Sequence, residues 1–433
     1  MDSIWAKTAQ LPRFHPLEGD LRTDVLIVGG GLAGLLCAHR LARAGVDYAL
    51  VEADRICGGT TKDMTAKLTV QHGLIYHKLI RQFGEERARL YLEANRTALE
   101  DYRALCQTID CGFVEEDNFV YSTDSRGKLE QELAALDRLG FAARLVDETP
   151  LPFPVAGAVC VPRQGRFHPL QFAAALAKPL RIFEDTKVLE LAPGRAVTNR
   201  GTIAAEKVII ATHFPILNKH GGYFLKLYQH RSYLLALKDA PDLGGMYVDE
   251  SETGLTFRNT ESLLLLGGGG HRTGKPGGGW RELKAFAHRH YPQAREVACW
   301  AAQDCMTLDG VPYVGQYGAR TPDLYVAAGF NKWGTTSAMA AAGVLADLVR
   351  GKENPYTELF SPSRSVLRPQ LAVNGWEAAL NLLRPTAPRC PHLGCALRYN
   401  AAERSWDCPC HGSRFGEDGT LLNNPATDDK KGL

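Results

Sequence analysis

A continuous apolar run at Val25–Val28, a glycine-rich turn, a helix-period segment from Leu32 to Ala44 and a second apolar run ending at Val51 predict a strand–helix–strand unit on a parallel sheet. Between Gln71 and Gly140 the amphipathic patterns are long and rich in Leu, Glu and Arg, and one of them, Glu85 to Thr108, reads as a helix. Lys207 to Ala211, after the turn-like Asn199-Arg200-Gly201, has the unbroken apolar character of a buried strand. Alternating runs at Ser232 to Leu237 and Leu263 to Leu266 predict antiparallel strands in a second, substrate-facing layer. From Leu324 to Arg350 a strand, a glycine-containing turn and an Ala-rich helix return to the first pattern, so two subdomains are interleaved over residues 1–360. Pro355, Ser361, Pro362, Ser363 and Arg364 then have the composition of a surface linker, assigned to 361–384. Within it Trp376, Leu380 and Leu383 recur at helical spacing, which predicts a segment packed back on the main body by those side chains. A small unit over 385–433 closes the chain.

Balanced acids and bases leave a formal net charge of +2 with no basic block, which argues against nucleic acid as a partner. Met1 to Asp24 carries acids, Pro12 and Pro16 but no apolar leader core, and no later run reaches the ~18 apolar residues of a transmembrane segment. A cytoplasmic protein is expected. Of eleven cysteines, seven are scattered and four crowd between Cys390 and Cys410, the pattern of a metal site.

Gly29, Gly31 and Gly34 form G-x-G-x-x-G directly after a strand and open a helix, where they permit a tight turn, close approach to a pyrophosphate and close helix–strand packing. The helix N-terminus supplies N–H groups to the phosphates. Glu52, about 20 residues on, ends the second strand where a carboxylate accepts from ribose hydroxyls. From Thr23 to Arg350 the chain resembles the D-amino-acid-oxidase-like superfamily of FAD-dependent oxidoreductases. That resemblance implies FAD and places Arg55 near adenine, Gly59-Thr60-Thr61 beside the pyrophosphate, the Val188 backbone at adenine and the strand end Ala211-Thr212 at the nucleotide. It also places Gly329, Phe330, Lys332, Gly334, Thr335 and Thr336 near the flavin ring. No second dinucleotide fingerprint follows, which argues against a nicotinamide.

Two other motifs are set aside. Gly269 to Lys275 matches a phosphate-binding loop, but Pro276 stands where a hydroxyl must reach Mg²⁺, so the stretch reads as a mobile loop. His72 and His77 have the spacing of a mononuclear iron site, but Thr69 stands in the place of its Asp, and both read as satisfied structural histidines.

Amino-acid oxidases of the superfamily grip the substrate carboxylate with an Arg just before T-x-D-G-x-P. Here Thr307-Leu308-Asp309-Gly310-Val311-Pro312 is preceded by Asp304-Cys305. Asp304 either meets a cation or pairs within the protein. Lys67, Tyr233, Tyr247, Arg258 and Lys332 are further pocket candidates; Lys332, inside the Gly329–Gly334 loop, is placed to stabilise an anionic reduced flavin, so Asp304 and Lys332 are the catalytic candidates.

Cys390-Pro391-His392 and Cys408-Pro409-Cys410-His411 make a C-x-H and a C-x-x-H box. Two thiolates and two imidazoles also satisfy zinc. The doubled boxes, however, resemble Rieske proteins, and the resemblance assigns Cys390 and Cys408 to one iron of a [2Fe-2S] cluster, His392 and His411 to the other, and a disulfide to Cys395 and Cys410. Ser413 keeps a donor to the cluster, but Phe415 replaces the donor Tyr of high-potential members, which implies the lower part of the range of roughly −150 to +300 mV. Few strands precede the first box, so the unit is expected to lean on the flavin domain.

The expected fold class is thus α/β: a Rossmann-like FAD-binding domain interleaved with an antiparallel-sheet substrate domain, plus a small C-terminal all-β Rieske cluster-binding subdomain. The order of parts resembles bacterial FAD-dependent oxidoreductases with C-terminal Rieske domains. That resemblance gives the cofactors but no substrate; the function expected is oxidation of a small molecule, amine- or amino-acid-like, at the flavin, with electrons relayed through the cluster to or from a protein or quinone. A redox-sensing or electron-transfer flavoprotein acting on a protein partner, and a flavoenzyme with a purely structural cluster, are the alternatives.

Overall fold

The computed structural model describes residues 2–217, 220–251, 253–384 and 388–432. The expected start of the last unit, at Pro385, lies outside the described residues. Among the described residues, three sheets organise the chain. In the first, Leu324–Ala328, Thr202–Ile210, Leu21–Val28, Tyr48–Val51 and Ile182–Phe183 lie side by side and parallel, with Tyr313–Gln316 added antiparallel at one edge. Val25–Val28, Tyr48–Val51 and Val208–Ile210 are buried on both faces, which explains why they read as unbroken apolar runs rather than alternating ones. The helices Leu32–Arg43 and Gly334–Val349 pack against each other through small and aliphatic side chains including Ala38, Leu41, Ala341, Ala342 and Leu345.

The second sheet runs Arg295–Thr307, Leu227–Lys238, Leu263–Arg272, Thr256–Thr260, Met246–Asp249, Val114–Ser122, Gly157–Arg166 and Lys67–Leu68. All its pairs are antiparallel except Met246–Asp249 with Val114–Ser122. The chain passes between the two sheets repeatedly, as the return of the first sequence pattern at Leu324 requires. A third, four-stranded antiparallel sheet joins Arg398–Asn400, Ser405–Asp407, Arg414–Gly416 and Leu421–Asn423.

This small sheet is fastened to the second one by a line of buried charges. Arg231, in strand Leu227–Lys238, gives both arms of its guanidinium to Glu403, with Nε at 2.8 Å. Glu403 also receives Arg414 at 2.8 Å, and Arg414 reaches Asp407 at 2.9 Å. All four side chains are 9% exposed or less. Burial pushes the Glu403 carboxyl up, but Arg231 and Arg414 outweigh it and hold it below its ordinary value.

Three sequence expectations are corrected. The glycine stretch from Gly269 is not a mobile loop. It continues the paired strand Leu263–Arg272, and its turn residue Gly274, at φ +75°, lies so close to Pro409 that a Cβ there would come within 2.6 Å of the Pro409 nitrogen. The glycines serve packing between units. Residues 361–384 are likewise more than a surface strap, because Arg364 clamps Asp309 with both arms, at 2.7 and 2.8 Å, and stacks over the Tyr313 ring. Finally, the helix predicted around Trp376 exists, as Pro369–Leu382, but Trp376, Leu380 and Leu383 point to solvent. Polar residues anchor it instead. Asn374 donates to the Leu225 carbonyl and accepts from Arg272, while the Asn381 carbonyl accepts from Ala396 and Arg389.

Glu403→Ala strands the buried Arg231 guanidinium, while Arg414 keeps Asp407, and is expected to destabilise the docked C-terminal unit by about 3–5 kcal/mol, read as an earlier unfolding transition of that unit in urea. Because the Glu403 carboxyl is depressed in the folded state, its contribution is complete above the ordinary carboxylate range and is lost as pH falls through and below it.

Candidate functional site

The nucleotide turn is built by contact between backbones. A Cβ on Gly29 would sit 2.6 Å from the Ala211 carbonyl oxygen, and one on Gly34 would sit 1.9 Å from the Gly29 oxygen. Gly29 therefore closes the turn on the end of strand Thr202–Ile210, and Gly34 lets the helix rise directly from it. No side chain caps Gly31, so first-turn N–H groups face outward, apart from that of Leu32, which donates to Thr61 Oγ1 at 3.0 Å. Glu52 accepts from the N–H of Gly30 at 2.7 Å and of Asp54 at 3.1 Å, and burial pushes its carboxyl up. This bare, positively polarised helix end beside a fixed carboxylate fits the pyrophosphate and ribose of FAD.

Other nucleotide-site candidates fall into two groups. Thr60 lines the central cavity, as do Gly334 and Thr335, whereas Val188 is buried at the start of strand Val188–Ala192. Arg55 is ion-paired with Glu184 and donates to the Pro12 carbonyl at 3.0 Å, so it holds the N-terminal arm. Gly329, at φ +72°, packs on Thr307, and half-buried Phe330 packs on the main core. Thr335 and Thr336 give their hydroxyls to the carbonyls of Lys67 and Thr69, so both side chains fasten helix Gly334–Val349 to the second sheet.

The cavity, about 490 Å³, opens between the two large sheets and is lined by Lys67, His72, Tyr233, Asp304, Lys332 and Trp333, among others. Asp304 and Lys332 meet here. Burial pushes the Asp304 carboxyl up, against the opposing pull of Lys332 and Arg231. Lys67 donates to the Tyr247 carbonyl at 3.1 Å and to Thr256, and burial lowers its ammonium well below the usual lysine range. Tyr247 bonds the Leu243 carbonyl, and Arg258 donates to the carbonyls of Thr65 and Ala66 at 2.8 and 2.5 Å. Lys67 has no fork, and Arg258, whose Nε and Nη2 are buried without a hydrogen-bond partner among the described residues, is not among the residues that line the cavity. His72 is satisfied by Tyr91 and the Thr69 carbonyl and stacks on Trp333, while His77 pairs with Glu132 at 2.9 Å. The two histidines do not share a site.

At the C-terminal unit the rings of His392 and His411 stand edge to face with centroids 4.9 Å apart. Burial pushes both rings down, His411 to about 4 and His392 to about 3, so both are neutral imidazoles at pH 7. His411 Nδ1 is buried without a hydrogen-bond partner, while the ring bonds the Phe224 backbone, the arrangement of a ligand held from its far side. Cys390 and Cys408 are buried and hydrogen-bonded sulfur to sulfur, and Ser413 bonds Cys390. These donors fit a cluster with two thiolates and two imidazoles. The expected Cys395–Cys410 bridge is not made: both are free thiols, packed with Cys408 so that the three sulfurs lie within 4.8 Å of one another.

Residues that sequence reasoning missed lie between the two sites. Phe214 sits edge-on to both imidazoles, at 6.3 and 6.4 Å between centroids, on the loop that leaves Ala211 and Thr212. Gln303 accepts Thr60 on its carbonyl at 3.3 Å and donates from its side chain to the Gly412 carbonyl at 2.9 Å. Asn424 holds the same loop through the carbonyls of Thr212 and Phe214, and Gln229 bonds His213 and the Asn424 carbonyl. No motif marks these residues, since their role comes only from the docking.

Residues 24–348 match the family described as FAD dependent oxidoreductase, and residues 370–431 match the Rieske [2Fe-2S] domain. The chain is 33% identical to the Bacillus subtilis (strain 168) protein YhfW, named as a Rieske 2Fe-2S iron-sulfur protein, over 98% of this chain and 96% of that one. Against the gamma-glutamylputrescine oxidoreductase of Escherichia coli the identity is 26%, over 78% and 86% of the two chains. Among solved structures, glycine oxidase from Geobacillus kaustophilus shares the fold with a TM-score of 0.67 at 24% identity, over 80% of this chain and 100% of that one. L-proline dehydrogenase from P. horikoshii does so with a TM-score of 0.67 at 18% identity, over 80% and 98%.

Ser413→Ala removes the donor to Cys390 while leaving the ligands in place, and the midpoint potential of the reconstituted cluster is expected to fall, measured by EPR-monitored redox titration. Gly34→Ala drives a methyl into the Gly29 carbonyl and is expected to yield protein that retains the cluster signal but no flavin absorbance.

Proposed function

This chain belongs to the FAD dependent oxidoreductase family and ends in a Rieske [2Fe-2S] domain, and on that premise we propose that it oxidises a small amine- or amino-acid-like molecule at FAD and relays the electrons through the cluster. The observation that carries the relay is the docking of the histidine side of the cluster boxes on Phe214, whose loop begins where Ala211 closes on the nucleotide turn. FAD supplies two-electron oxidation of the substrate, and the cluster supplies one-electron exchange with an acceptor, protein or quinone. Gly29, Gly31, Gly34, Glu52 and Thr61 hold the dinucleotide; Cys390, His392, Cys408 and His411 hold the cluster.

The concave cavity favours a small molecule over a protein as the group oxidised. Within its mainly apolar lining, the desolvated Asp304 carboxyl favours an amine. Asp304 offers an acceptor for a substrate N–H, and no arginine among the cavity-lining residues supplies a bidentate grip for a substrate carboxylate. Lys332, beside Asp304, offsets the carboxylate charge and places a cation at the flavin loop. The seven cysteines outside the cluster unit are all free thiols, which suits a cytoplasmic setting.

Amines and amino acids added anaerobically to the holoprotein should bleach the flavin bands and then raise the EPR signal of the reduced cluster. Bleaching without that signal overturns the relay; no bleaching by any of them overturns the substrate class. Cys408→Ser should keep flavin bleaching and lose turnover with a one-electron acceptor. Asp304→Asn should raise KM for the amine roughly tenfold, the worth of one charge-assisted hydrogen bond, whereas a purely internal ion pair predicts an unchanged KM.

A further inference from the structure

The helix Pro369–Leu382 is inside out. Its buried positions, Asn374 and Asn381, are polar, and Glu377, on the same face, pairs with Lys275 at 2.6 Å. Its solvent face carries Val373, Trp376 and Leu380, and continues into Leu383; Trp376 is 66% exposed and Leu383 80%. These four positions are spaced by three or four residues, so they form one stripe along the axis. A stripe of this kind normally faces a core, and here it lies on the outside of the molecule. The fold holds it there deliberately: Arg272 ties Asn374 to the Pro409 and Cys410 carbonyls of the second cluster box, at 2.9, 3.0 and 3.1 Å.

We infer that this helix lies in the surface of an anionic lipid bilayer, with its apolar stripe in the acyl boundary and the cluster unit directly above it. Charge decides the occupant. Residues 361–398 contain five arginines and a single acid, Glu377. Arg364 is neutralised by Asp309 and Glu377 by Lys275. Arg389 is spent on the carbonyls of Asn381, Leu382, Arg384 and Gly394. This leaves Arg384, exposed beyond the helix C-terminus, with the half-buried Arg368 at the N-cap, over the Phe83 ring, and the half-buried Arg398, as cations that no acid offsets in the ion pairs of the described residues. An exposed Trp and Leu stripe flanked by arginines is the composition of an interfacial helix on anionic lipid. A second copy of the same face would oppose these arginines to their own kind. The helix, about 21 Å long, lies in the membrane plane, consistent with there being no helix among the described residues long and apolar enough to cross. Because the Glu377 carbonyl is 3.9 Å from Cys410 Sγ, docking brings the box-two loop within about one helix diameter, roughly 10 Å, of the lipid. The docking is independent of whether the cluster relays electrons.

The test is flotation of the full holoprotein with phosphatidylcholine vesicles, with and without phosphatidylglycerol. Wild type should float with the anionic vesicles, float less as salt rises, and show a blue shift of tryptophan emission that is missing in Trp376→Phe. The double variant Trp376→Ser with Leu380→Ser should float about tenfold less while keeping flavin absorbance and the cluster EPR signal, which shows that it is folded. Flotation that is absent, or unchanged in the folded double variant, overturns the inference. So does a wild-type dimer in sedimentation that the double variant abolishes without any flotation, which assigns the face to a second copy.

Discussion

The arrangement of the whole molecule depends on the buried line of charges from Arg231 through Glu403 and Arg414 to Asp407. A four-stranded sheet of very short strands cannot bury enough apolar surface to hold two cluster loops rigid by itself. Its own core is small, centred on the cysteines with Leu397, Phe415 and Ala426. Fastening it through alternating charges exacts a desolvation cost for each, and the line is favourable only because every member has an opposite neighbour at hydrogen-bond distance. Such a contact is intolerant of sliding. It therefore fixes not just that the two units touch but the register in which they do.

That register is what brings glycine backbones into contact across the interface. Gly274 accommodates Pro409, and a Cβ on Gly412 would stand 2.5 Å from Gln229 Cβ, so both approaches require a residue without a side chain. The same device shapes the nucleotide turn, where Gly29 meets Ala211 and Gly34 meets Gly29. Between the two glycine contacts run Thr212, His213 and Phe214, with Gln229, Gln303 and Asn424 bonding around them. One continuous, well-packed layer thus separates the dinucleotide turn from the imidazoles. The central cavity opens on another side of the same core, lined by Asp304 and Lys332.

Much of this was legible in the residues and much was not. The glycine turn with Glu52, the two cysteine–histidine boxes and the interleaving of the two sheets could be read because each depends on spacing within a short stretch, where backbone geometry alone relates the side chains. Asp304 and Lys332 were placed in one pocket by resemblance, and they do line one cavity. Arg55 has Glu184 as its partner, a contact between residues far apart in the chain. Trp376, Leu380 and Leu383 had the correct helical period, but a period says only that three side chains share a face, not which face is turned inward. The glycine stretch at Gly269 failed for a related reason: glycine in a sequence signals either freedom or close approach, and only a neighbour distinguishes the two.

The sequence by itself determined the glycine turn, the two cysteine–histidine boxes, the fold class and the order of the units, because these follow from local patterns of residue type. Only the tertiary structure decided that the imidazoles face Phe214, that Cys395 and Cys410 remain unbridged and that an apolar helix face looks outward. Those outcomes rest on contacts between segments distant in the chain, such as Arg231 with Glu403 and Arg272 with Asn374, whose geometry exists only once both sheets have formed and docked.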